Sequence, residues 1–361
     1  TSEEDQKTLG AITDIPIHCM TEILETSLHT HITQSIPLVV NSSSTLTLSE
    51  QCALESIIDC AQKIKLPKHA KMLSTFKPSS PYIVFESLFA LYQGHDIHIQ
   101  TNIDKIIKLI NKKTIDGFFT TPRVFSMVEN HIHNTNITII MVVEEDFPNQ
   151  SLLKRLERFN HIYQLYQPKN IPLPISLLKI DSQAEMNIGT ALSPFELEVL
   201  DAKNNLLPKE VPGQLYIRVH ETGERIPLNM LAKKNVRDAT VVLANQLDPR
   251  KAIATQNKYR IENALSLHPN ILDAYIYCDL NSPISPTHAY FLQKEATWLK
   301  KLFHKKTQAL LPQKLVRYLD QYFYKTELPI SYVHNETWPL DNRQQLDTLQ
   351  LTPPETEDIL Y

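Results

Sequence analysis

Glycine is what this chain most conspicuously lacks: six in 361 residues, where average usage would give about 25. They are Gly10, Gly94, Gly117, Gly189, Gly213 and Gly223, and only the last two lie within ten residues of each other. A phosphate-cradling loop needs several together, because only glycine lets backbone N–H groups converge on the oxygens. No glycine-rich phosphate loop is therefore present. Cysteine is also scarce, and Cys19, Cys52, Cys60 and Cys278 show no paired spacing. That excludes a disulfide framework or a zinc ribbon and leaves buried, reduced thiols. A basic excess is missing too: 36 Lys and Arg face 40 Asp and Glu, a formal net charge of −4. Without a basic run there is no footprint for nucleic acid or an acidic membrane surface. No apolar stretch approaches a membrane span and no charged-then-apolar leader opens the sequence, so a soluble, cytosolic protein is the expectation. The motifs GxSxG, HExxH and GxxxxGK[ST] are absent, which removes hydrolase, zincin and P-loop readings. Fourteen histidines produce chance pairs such as His131 with His133 and His95 with His98. Lacking a third ligand in register, they read as surface or loop residues, and no metal is expected.

What is present is apolar content of 42%, enough for a sizeable core and two domains. The most informative stretch is Leu192 to Val219. Apolar positions Phe195, Leu197, Val199 and Leu200 form one strand, Leu215, Tyr216, Ile217 and Val219 a second, with Pro212-Gly213 in the turn-rich segment between them. Residues 15–64 read as two amphipathic helices around a short strand at Pro37–Val40, the second helix spanning Ser49–Ile64 with Ser49 as its cap. The Ser-rich segment 41–47 is an ordinary loop. Asp104–Lys112 has the spacing of an amphipathic helix, and Ile137–Val143 is the continuous apolar run of a buried parallel strand. Asn149–Phe159 reads as a polar helix. Helical stretches pass through Trp298, Leu299, Leu302 and Phe303 and from Leu315 to Tyr324.

The segments NIGTALSPFELEVLD, VPGQLYIRV and HETGER, in that order, resemble the adenylation domains of nonribosomal peptide synthetases, where an IGRPI…VLD strand leads to VPGELYI and a YxTGD turn. The similarity extends outward. SSPYIVFESLFALYQGHDIHI resembles FDASVWEIFGALLSGATLVI. Thr121-Pro122 matches a TP turn between strand and helix, and Arg260, Ile261 and Glu262 match RIE, followed by His268-Pro269. The end, LPISYVHNETWPLDNRQQLDTLQL, resembles a pattern that closes on NGKxDRRAL. Roughly a hundred residues of the family pattern, including its TSGSTGxPK phosphate loop, have no counterpart between Lys65 and Lys77.

The resemblance implies where chemistry would sit, and those positions have changed. Pro81 stands where an aspartate holds the substrate's ammonium group. In the NxYGPTE segment Tyr166 and Pro168 remain, whereas Gln167, Lys169 and Asn170 replace the glycine, the phosphate-contacting threonine and the magnesium-holding glutamate. Asn170 as an amide lacks the anionic oxygen a hard cation prefers. Glu224 takes the place of the ribose-binding aspartate and also reads simply as a surface-turn glutamate. Asp248 falls at the hinge, with Gln246 near the preceding arginine. Lys258 replaces a glycine of the reacting centre, and Gln344 or Gln345 replaces the lysine that neutralises charge on the α-phosphate. Tyr166 and Glu224 are the remaining candidates for nucleotide contact.

These features imply an α/β fold: a truncated adenylate-forming core with a β-meander at 1–247, a small α+β domain at 248–350, and a linker toward a possible carrier domain at 351–361. The implied function is a pseudo-enzyme, a structural or docking platform in a peptide synthetase assembly line. Its partners would be condensation, tailoring or carrier domains, and it would use no cofactor. Two alternatives stand beside it: a residual nucleotide-binding or adenylating enzyme using Tyr166 and Glu224, and a regulatory module that binds a small ligand.

Overall fold

The computed structural model describes residues 48–78, 80, 82–144, 147–148, 150–168, 171, 173–180, 187–236, 239–244, 249–278, 287–294, 312–341 and 344–354. In chain order the elements are α1 (Glu50–Lys63), β1 (Lys71–Ser74), α2 (Tyr82–Gln93), β2 (Asp96–Ile99), α3 (Ile103–Asn111), β3 (Gly117–Thr120), α4 (Pro122–Val128), β4 (Thr138–Val143), α5 (Gln150–Leu156) and β5 (His161–Tyr166). They continue with β6 (Ser176–Lys179), β7 (Asn187–Ala191), β8 (Phe195–Leu200), β9 (Gly213–Val219), β10 (Arg225–Lys234) and β11 (Thr240–Ala244). Last come α6 (Pro249–Ser266), β12 (Ile271–Tyr277), β13 (His288–Gln293), α7 (Pro312–Leu319) and β14 (Ser331–Asn335).

The first five strands form a parallel sheet in the order β2-β1-β3-β4-β5. Every residue of β4 is buried, which is why its sequence is continuously apolar rather than alternating. Successive residues still face opposite layers. Phe118, Ile139 and Met141 enter a core with Ile106, Ile110 and Phe125, whereas Phe119, Ile140 and Val142 enter another with Phe76, Phe85 and Phe89. Side-chain caps start the helices: Ser49 accepts from the Cys52 N–H, Asn102 from Lys105 and Thr121 from Val124, with Pro122 opening α4. Each satisfies a donor that the helix itself leaves free.

Beyond β5 the sheet becomes antiparallel, through β6 and β7 to the meander β11-β10-β9-β8. The marked strand pair is β8 and β9, aligned from Phe195 opposite Val219 to Leu200 opposite Gln214. Strand β7 serves two neighbours: Thr190 and Ala191 pair with β6, Asn187 and Gly189 with β11. Gly189, at φ +80°, is the pivot, and a Cβ there would run into the Leu177 carbonyl. The parallel layer, the meander and α1 share one core that includes Cys52, Ile57, Val142, Leu197 and Ile217.

A separate three-stranded sheet pairs β12 with β13 antiparallel and β13 with β14 parallel. One face packs on α6 and α7 through Ile261, Leu265, Leu315 and Leu319. The other carries Tyr290, Leu292, Val333 and Trp338 against Met127 of α4.

The structure departs from the sequence reading in three places. Strand β1 lies within Lys65–Lys77, where no element is expected because Leu66, Ala70, Met72, Leu73 and Phe76 follow no strand or helix period. The helix expected over Leu315–Tyr324 runs Pro312–Leu319, where proline suits the first turn. Past Leu319 the chain turns, bringing Phe323 back onto the core of the small sheet. Helix α6, to which the sequence reading gives no start, begins at Pro249, well before the Arg260–Glu262 signature. The readings at 15–47, Trp298–Phe303 and most of 351–361 fall outside the described residues, as does the 247/248 boundary. Among the described residues no helix is long and apolar enough to cross a membrane.

Candidate functional site at the strand ends

Open α/β sheets bind ligands beyond the carboxyl ends of their strands, which here are Ser74, Thr120, Val143 and Tyr166. Beside Ser74 stands Glu86 of α2, 1% exposed. Burial pushes its carboxyl well above the usual range, and the Ser74 hydroxyl opposes this more weakly. Neither carboxyl oxygen has a partner of good hydrogen-bond geometry among the described residues. Burial thus favours the protonated form of this acid where β1 ends.

At the end of β3, Thr121 does two jobs. Its hydroxyl oxygen accepts from the Val124 N–H at 3.3 Å and donates to the Gln344 carbonyl at 2.9 Å. The loop bearing Gln344 and Gln345 is thereby seated on the N-terminus of α4. Gln344 is at φ +60°, and the Gln345 N–H donates to Asp341 Oδ1 at 2.9 Å. Both side chains are buried, and Gln345 Nε2 has no hydrogen-bond partner among the described residues.

At the end of β5, Tyr166 is 3% exposed. Its ring stacks on Phe147, centroids 6.0 Å apart, and its hydroxyl donates to the Met230 sulfur at 3.2 Å. Gln167 is buried as well; its backbone N–H continues the ladder to Val143, and Nε2 donates to the Ile171 carbonyl at 3.4 Å.

Glu224 lies in the exposed turn between β9 and β10, where its N–H donates to the Thr222 hydroxyl at 3.2 Å. A neighbouring acid in that turn, Glu221, is the one that reaches across the molecule. It accepts from the Ser49 hydroxyl at 2.6 Å and from the Cys52 thiol at 3.0 Å. Those bonds hold its carboxyl below the usual range. Burial, with the Glu221 bond second, pushes the Cys52 thiol up to about 11.

Lys258 places its ammonium 4.0 Å from the Tyr275 ring centroid and 3.9 Å from the Glu262 carboxylate. Pro81, Lys169, Asn170, Gln246 and Asp248 lie outside the described residues. His95 accepts the Ala70 N–H at 3.1 Å. Among the described residues no cluster of His, Cys, Asp or Glu is arranged to hold a metal.

Sequence reasoning passed over Glu86, Arg123, Asp273 and Trp338. The available signal was a charged residue inside an apolar run, in VFESLF, TPRVFSMV and ILDAYIY. A charge in such a run is either a misplaced surface residue or a buried one with a partner.

No protein-family model matches the chain, and no curated relative matches it. Solved structures do, and they are adenylate-forming enzymes. A four-domain nonribosomal peptide synthetase bound to AMP and glycine aligns with TM-score 0.65 and 14% identity, over 86% of this chain and 25% of that one. A benzoate CoA ligase from Burkholderia xenovorans LB400 aligns at 0.63 and 13%, over 84% and 65%. The O-succinylbenzoate CoA synthetase from Bacillus subtilis, in complex with AMP, aligns at 0.62 and 11%, over 88% and 69%. The chain shares the fold of these enzymes, and it spans 65% of the length of an amide bond synthetase from Marinactinospora thermotolerans, with TM-score 0.59 and 13% identity.

Two positions to which the resemblance gives a nucleotide role differ here from what it implies. Tyr166 is 3% exposed, with the Phe147 ring stacked on it and its hydroxyl on the Met230 sulfur. The side chains at the lysine position are amides, which carry no net positive charge.

Proposed function

We propose that this chain is a catalytically silent adenylation-like module that serves as a docking platform in a nonribosomal peptide synthetase, with condensation, tailoring or carrier domains as partners. The observation that carries the silent half is the pair Gln344 and Gln345, buried and seated on Thr121 where the resemblance calls for a lysine. Removing one group that stabilises transition-state charge lowers a rate by about 10²–10³-fold, on the order of 3–4 kcal/mol of barrier. Changes at several such positions leave nothing for a single survivor to rescue. The platform half is supported by the likeness to a multidomain synthetase.

Pyrophosphate exchange with a panel of amino and aryl acids, paired with calorimetry against ATP and Mg²⁺, tests the silent half. No exchange and no ATP binding at millimolar concentration is expected; turnover or micromolar binding overturns it. Sedimentation with purified condensation, tailoring and carrier domains of the same assembly tests the platform half. A defined complex with one class is expected, and the absence of a complex with all three overturns it.

A further inference from the structure

Away from the strand ends, α4 meets the second face of the small sheet, the one opposite α6 and α7, through a buried charge. Arg123 is 6% exposed and Asp273 is 3% exposed. The guanidinium Nη1 donates to Asp273 Oδ2 at 2.9 Å and to the Ala274 carbonyl at 3.0 Å. Its carbon lies 5.4 Å from the Tyr275 ring centroid and 5.3 Å from that of Trp338. The same Asp273 oxygen accepts from Trp338 Nε1 at 2.9 Å and from the Ser126 hydroxyl at 3.2 Å.

Neighbouring contacts run the same way. Glu129, 1% exposed, pairs with Arg155 at 2.6 Å and Arg158 at 3.1 Å. Arg155 also donates to the Leu272 carbonyl of the small sheet at 3.3 Å. Packed segments within one chain move relative to each other by default unless their interface is large and apolar. This interface joins the packing of Met127 on the small sheet to a buried ion pair, so separating the segments would strip a desolvated cation of its anion and of both rings.

We propose that Arg123 is a latch that makes the large and small sheets one rigid body and keeps the Gln344–Gln345 loop seated at the end of β3. The latch does not depend on whether the strand-end site is silent.

Native-state hydrogen exchange tests it on the full chain. In the unmodified protein the slowest amides of β12, β13 and β14 should open with those of β4, as one unit. Arg123→Met should speed exchange in the small sheet and in residues 344–351 by about tenfold or more while β4 keeps its protection. The chain has two tryptophans, so a Trp298→Phe background makes Trp338 a lone reporter, whose emission should shift red in the same variant. Arg123→Met with Asp273→Leu should recover most of the protection, because no lone buried charge remains. If Arg123→Met does not fold, Trp338→Phe removes one donor to Asp273 and should loosen the small sheet alone. Independent opening of the small sheet in the unmodified protein overturns the latch. So does unchanged exchange in the folded variants, or a double variant no better protected than Arg123→Met.

Discussion

Glu86 shows how one side chain sets a pH response. Its folded-state pKa is raised above the ordinary 4.5 by burial, so the folded protein holds this proton more tightly than the unfolded chain does. Stability from this group is complete below about pH 4.5 and is lost as pH rises toward the folded value. Glu86→Gln keeps the shape and removes the titration. Thermal melts of the two proteins should agree near pH 4 and diverge in favour of the variant by about pH 8. An unchanged difference across that range would mean that the carboxyl titrates alike in the folded and the unfolded chain. Cys52 makes a second prediction at this scale. With its thiol pushed up to about 11, alkylation mapped by mass spectrometry at neutral pH should leave it almost untouched until the protein is denatured.

Among the elements, α1 and β7 depend on single residues. Ser49 caps α1 and also donates to Glu221. Ser49→Ala should therefore cost about 1 kcal/mol from the cap, and more from the lost tie, in urea unfolding. Gly189→Ala forces a Cβ against the Leu177 carbonyl at a positive φ and should lose at least about 2 kcal/mol. Legibility in the sequence divides along the same line. The cap at Ser49, the TP start of α4, the run of β4 and the β8–β9 pair are local patterns, and local patterns can be read. Strand β1 is four residues long and owes its place to neighbours on both sides. Helix α6 has few apolar residues in its first half, so no periodic stripe announces it. At the strand ends the resemblance named Gln167 and Gln344 by position, but that Phe147 stacks on Tyr166, or that Glu221 rather than Glu224 ties the turn to α1, depends on distant residues meeting.

At the scale of the whole molecule, the buried and exposed ion pairs should part company. Arg123 and Asp273 are shielded from mobile ions, whereas Arg218 with Glu196 and Lys233 with Glu210 lie near the surface. Raising salt from about 0.05 to 1 M should weaken only the exposed pairs, each worth under about 1 kcal/mol. Small-angle scattering should accordingly give the same envelope at both salt concentrations, and a radius that grows with salt would show the large and small sheets separating.

The bend at Gly189 also has a consequence for descent. If the strand-end site is silent, as we propose, the side chains of Gln167, Gln344 and Gln345 have no substrate to hold them and should drift in related chains. The pivot has no such freedom, because any added carbon collides with backbone. In a chain with six glycines in 361 residues, this position should be among the last to change.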